Sequence, residues 1–132
     1  RKWTLFVFCG IAGLAYLYLA LDGQSASLWL ITVLYFVSGY GSSACQGTAL
    51  PLFKEFADER LTATLVGGGN TGPFVGGAIL QTISSLIIGT FEQTNDRYPA
   101  EAYELGLWGL SALCCFAAMF CLVFIKEPKI VD

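Results

Sequence analysis

Four intervals without a single charged side chain run through the 132 residues: Trp3 to Leu21, Ser25 to Phe53, Leu61 to Phe91 and Leu105 to Ile125. Each matches or exceeds the roughly 17 to 25 residues that a helix needs to cross a bilayer at 1.5 Å per residue. The sequence therefore predicts an all-α membrane protein with four transmembrane helices, over about 3–21, 27–53, 61–90 and 105–125. Composition agrees, since 55% of the residues are hydrophobic and 13% charged, about half the roughly 25% charge of a soluble domain. Four buried helices of a soluble fold are excluded because so short a chain has too much surface for every helix to be apolar all round. A signal peptide cannot account for four such segments.

Basic residues set the expected orientation. Arg1, Lys2, Lys54, Arg60, Lys126 and Lys129 fall on one side of the four spans, and only Arg97 falls on the other, with Asp22, Glu92, Asp96, Glu101 and Glu104. Short cytoplasmic loops gather Lys and Arg, so both termini are expected in the cytoplasm of a multi-pass protein of the cell (inner) membrane. The net charge of −3 lies mainly in the outer connectors and gives no reason to expect nucleic acid as a partner. Cys9, Cys45, Cys114, Cys115 and Cys121 all sit within spans, where a thiol packs as a small apolar residue. Without histidine or a Cys-x-x-Cys pair, the sequence gives no metal site, no cofactor and no enzyme chemistry.

The spans differ in polarity. The first has Thr4 and the fourth Ser111 as its only aliphatic polar side chain, and such helices can face lipid. The second carries Ser38, Ser42, Ser43, Gln46 and Thr48, and the third Asn70, Thr71, Gln81, Thr82, Ser84 and Ser85. Such groups need partners in hydrocarbon, so these two helices are expected to face protein or water. At 100° per residue Tyr35, Ser38, Ser42, Gln46 and Ala49 fall on one stripe of the second span, and Asn70, Phe74, Gly77, Gln81 and Ser84 on one stripe of the third. Interhelical hydrogen bonding and a solute-lining surface both account for such stripes. The candidates for the second are Tyr35, Ser38, Ser42, Gln46, Asn70, Phe74 and Gln81.

The third span also contains Gly67-Gly68-Gly69-Asn70-Thr71-Gly72-Pro73. In water this would read as a loop, even a phosphate cradle, but no strand precedes it and no Gly-Lys-Ser/Thr follows. Gly68, Gly72 and Gly76 recur every fourth residue, a helical strip where another backbone can approach. Pro73 leaves one carbonyl without its donor and invites a kink. The stretch is expected to be a closely packed, bendable helix. The charged connector Lys-Glu-Phe-Ala-Asp-Glu-Arg (54–60) is expected to be a solvated turn with local ion pairs, and the 91–104 connector a plain turn.

The order of these features resembles the last four helices of a major facilitator superfamily transporter. An Arg-Lys start leads into an apolar span. A polar, glycine-containing span ends in Ala-Leu-Pro-Leu-Phe-Lys-Glu, a charged turn follows, then LTATLVGGGNTGPFVGGAILQTISSLIIG and a last apolar span ending in Lys-Glu-Pro. The superfamily's basic loop motif would lie mostly before Arg1. The resemblance covers the whole chain and implies helices nine to twelve of a twelve-helix fold. In that family the tenth helix lines the central cavity, the eleventh contributes partly, and the ninth and twelfth stay outside. The implied function is secondary transport of a small-molecule solute by alternating access, with a coupling proton or ion where there is one. The implied partners are the lipid bilayer and missing N-terminal helices of the same protein. Two other classes remain open: a complete four-helix small exporter acting as a dimer, and a non-transporting four-helix scaffold. The first generally needs a membrane-embedded carboxylate, and the ten acids here lie at span ends or outside them.

Overall fold

The computed structural model describes residues 2–56 and 60–125. It is helical, with four helices long and apolar enough to cross a membrane: α1 (Lys2–Asp22), α2 (Leu28–Phe56), α3 (Thr62–Ile88) and α4 (Ala100–Phe124). Ends are set locally. Ser27 caps α2 by accepting the Leu30 N–H on its hydroxyl at 3.3 Å, which satisfies one of the donors that every helix start leaves open. Pro99, extended at φ −63° and ψ 156°, precedes α4. It starts that helix five residues before the stretch expected from hydropathy, because Ala100-Glu101-Ala102-Tyr103 is a good helical turn that simply lies outside the apolar run. In the same way α2 continues beyond Phe53 to Phe56. Asp58 and Glu59, to which part of the expected ion pairing falls, lie outside the described residues.

The long connector is more definite than a plain turn. Asn95 and Asp96 both have left-handed backbone (φ 54° and 58°), and Thr94 and Arg97 exchange both backbone hydrogen bonds at 2.9 and 3.2 Å. Asn and Asp tolerate that conformation better than other side chains, as a tight hairpin turn requires.

Packing does not follow polarity. The most enclosed helix is α1, which packs between α2 and α4 and buries Leu5, Ala12, Ala15 and Leu19. None of the apolar window of α3 is buried, against a third of that of α1. While Trp3, Val7, Leu14 and Leu21 keep an apolar face exposed, as a lipid-facing span requires, α1 is nevertheless the central helix within this chain. The reason is side-chain size. Without a hydrophobic drive between helices in lipid, close backbone approach decides association, and α1 offers Gly10, Ala12, Gly13 and Ala15. A β-carbon at Gly13 would stand 3.1 Å from Cys115 Cβ of α4, and one at Gly41 of α2 would stand 3.2 Å from the Phe8 carbonyl oxygen of α1.

The strip of Gly68, Gly72 and Gly76 receives no such neighbour. Nothing among the described residues lies within 4 Å of a β-carbon built at any of the three. The close packing expected there is thus not made inside this chain. Helix α3 touches α2, and meets α4 mainly over Ala100 to Gly109, so the strip remains on its open side. It runs unbroken through Pro73. Thr71 donates to the Gly67 carbonyl at 3.0 Å, so this hydroxyl does not serve the carbonyl of Gly69 that Pro73 leaves without its N–H donor.

Candidate functional site

The seven stripe candidates occupy two levels of the membrane-spanning region. Tyr35 and Gln81 lie toward the end of the bundle that carries the α1–α2 and α3–α4 connectors, and Gln46 and Asn70 toward the end that carries Lys2. Asn70 and Gln81, eleven positions apart on one helix, are separated by about 16 Å along its axis. Gln46 and Gln81 line different grooves.

At the connector end, α4 leaves ordinary α-helical winding. Glu104–Gly109 forms a π-helical segment, the kind of one-turn irregularity that often marks functional sites. Polar contacts hold it from two sides. The Glu104 carboxylate accepts from the backbone N–H of Gln24 at 2.9 Å and from the side-chain amide of Gln24 at 3.1 Å. Trp108 donates its indole N–H to the Tyr35 hydroxyl at 2.9 Å, tying α4 to α2. Tyr35 is therefore engaged with another helix, although 42% of it remains exposed.

The inner side of the π segment faces α3. Gly106 is buried there, and a β-carbon on it would meet Ile88 Cγ1 at 2.8 Å and the Ser84 carbonyl oxygen at 3.3 Å. Next to this contact lies a groove of about 430 Å³. Its walls are Gly77, Leu80, Gln81, Ser84 and Ser85 of α3, with Gly106, Leu107, Leu110 and Ser111 of α4. No ionisable side chain is among them. Ser111 donates to the carbonyl of Leu107 at 2.7 Å and is occupied. Gln81, Ser84 and Ser85 make no side-chain hydrogen bond to any described residue.

A second groove, of about 340 Å³, is almost wholly apolar and lies toward the Lys2 end. Gln46 borders it, with Leu5, Cys9, Cys45, Ala118 and Cys121 among its neighbours. Ser38 departs from the expected cavity role. It is fully buried, and its hydroxyl donates to the Tyr35 carbonyl at 3.0 Å, so a solute has no access to it in this arrangement. Ser42, Asn70 and Phe74 are exposed, Phe74 by 79%. Gln81 is brought together with the unbonded hydroxyls of Ser84 and Ser85. Among the described residues no group of three or more His, Cys, Asp or Glu could hold a metal ion.

Sequence reasoning passed over Trp108, Gly106 and the π segment. The available signal was Gly106 and Gly109 flanking Trp108 near the start of an otherwise apolar span. Small residues mark where a backbone can approach, but they do not say that the helix will change its winding. Compared with protein-family models, curated proteins and solved structures, the chain matches none.

Proposed function

We propose that the chain forms part of the C-terminal half of a secondary transporter of the major facilitator kind, in which α2 and α3 line one wall of a path for a small solute. One observation carries this reading. Gln46 and Asn70 are exposed on membrane-length helices and have no hydrogen-bond partner among the described residues. An amide facing hydrocarbon in that state is costly, so these positions suit water or another protein wall. Phe74 and the glycine strip continue the same helix, and small residues there would let a second half of the transporter approach and withdraw. Rocking of two such halves around a solute near the bilayer midplane is alternating access. The basic bias of Lys2, Lys54 and Arg60 supports a cytoplasmic location for the Lys2 end.

Substituted-cysteine labelling in the full-length protein tests this. The background carries alanine at every native cysteine of that protein, the five of this chain included. Cysteine at Asn70 or Phe74 should react with a membrane-impermeant thiosulfonate in sealed vesicles, from one face or from each in turn, whereas cysteine at Leu113, exposed on α4, should stay unreactive. Silence at Asn70 and Phe74 from both faces, with loss of protein from the membrane in Gln46→Ala and Asn70→Ala, would mean that the amides join helices together and would overturn the reading.

A further inference from the structure

The groove between α3 and the π segment of α4 contains a serine that differs from Ser38, Thr48 and Ser111. Ser38, Thr48 and Ser111 are buried or half-buried, and each donates to a carbonyl of its own helix, at 3.0, 2.8 and 2.7 Å. That is the usual way for a hydroxyl to satisfy itself in a membrane helix. Ser84 is 9% exposed, is a lining residue of the groove, and makes no side-chain hydrogen bond to any described residue. Ser85 and Gln81 beside it are also without one. Among the described residues no fully buried side-chain oxygen or nitrogen lacks a partner, so the Ser84 hydroxyl opens into the groove, where a polar group beside leucines is satisfied only by what enters.

We propose that this groove binds an uncharged, hydroxyl-bearing molecule, held by Ser84, Ser85 and Gln81. The chemistry follows from the lining. A serine hydroxyl both donates and accepts, and a glutamine amide offers two donors and an acceptor, so the complementary ligand group is one that also does both. A hydroxyl fits that description. A charged ligand does not, because the groove has no ionisable side chain to offset a charge held in a low-dielectric setting. Leu80, Leu107 and Leu110 supply apolar contact for the carbon skeleton, and the volume of about 430 Å³ falls in the range of small-molecule sites. Gly106 keeps the two helices close at one end of the groove, next to the buried Ser84, while Gln81 and Ser85 stand at its exposed side.

Two sources carry this chemistry, a free polyol and a lipid with a neutral hydroxyl headgroup. Ser84 lies four residues from the end of α3, about 6 Å along the axis, a depth that either can reach. The site is separate from the Gln46 and Asn70 surface, and its existence does not depend on transport.

Photolabelling of the full-length protein in phosphatidylcholine nanodiscs tests the proposal, with diazirine derivatives of glucose, of dioleoylglycerol and of gluconate. Saturable labelling of residues 77–85 or 106–111 by the glucose or the dioleoylglycerol probe is the expected result, and the probe that succeeds identifies the source. Ser84→Ala removes no bond within the protein and should weaken apparent affinity about fivefold, the ordinary worth of one hydrogen bond. Gln81→Ala, at an exposed position, gives the same reading should Ser84→Ala reduce the folded yield. Ser43→Ala, outside the groove and bonded to the Gly39 carbonyl, should leave labelling unchanged. Absence of saturable labelling, equal labelling by the gluconate probe, or unchanged affinity in both groove variants would overturn the proposal.

Discussion

The sulfur atoms of Cys9 on α1 and Cys45 on α2 stand 3.5 Å apart, in contact across the interface of these two helices. Both thiols are free. Copper phenanthroline should therefore join them, the two thiols giving up two electrons to the oxidant and two protons to water. Peptide mapping of the oxidised protein should recover a Cys9–Cys45 linked pair and a mass loss of two hydrogens. Recovery of Cys9 joined to Cys114 instead would show that α1 is not seated on α2 in this register.

Glycine substitution separates packed from open positions. Valine at Gly41 would press on the Phe8 carbonyl, already 3.2 Å from a built β-carbon, and overpacking of this kind costs roughly 1–3 kcal/mol. Leucine at Gly72 meets nothing among the described residues. In detergent unfolding of the isolated 132-residue chain, Gly41→Val should be clearly destabilised and Gly72→Leu close to wild type. In the assembled protein of the proposed transporter, Gly72→Leu should instead reduce yield, because the strip would then have a partner. Equal behaviour of the two variants in the isolated chain would contradict the packing described.

Lys2 closes the far end of α4. Its ammonium group donates to the carbonyls of Val123 at 3.0 Å and Ile125 at 2.8 Å, where a helix leaves acceptors open and carries partial negative charge. Lys2→Met should loosen the last turn of α4 by up to about 1 kcal/mol. The check is faster amide exchange at Val123 and Phe124, with Ala112 unchanged.

The topology proposed from charge has a direct assay. In the cysteine-free background, cysteine at Gln93 should react with an impermeant maleimide added outside intact cells, and cysteine at Arg60 only after the cells are opened. The reverse pattern would place the Lys2 end outside and remove the support that orientation lends to the transporter reading.

Much of the architecture was legible because one quantity, the length of charge-free sequence, decides whether a helix can cross a bilayer. All four spans could be read that way; their ends shifted most where Lys54, Glu55 and the Ala100–Tyr103 turn continue a helix beyond the apolar stretch, and α3 stops at Ile88, two residues early. The order of packing was not legible. Polar content ranks what a helix needs to bond, whereas Gly10, Gly13 and Gly41 determine which backbones come close, and α1 is central for that reason. The candidate site was legible in part. Gln81 stood on the predicted stripe, but its neighbours Gly106 and Leu107 depend on a π-helical turn that no periodicity announces.

The central place of α1 has a consequence for biosynthesis. The ribosome delivers α1 first and α4 last of the four, yet the face of α1 around Gly13 is covered only when Cys115 and Phe116 arrive. About a hundred further residues must be inserted before the contact of Gly13 with Cys115 and Phe116 can form. A chain stalled before Ala100 would leave this face of α1 without its α4 contact.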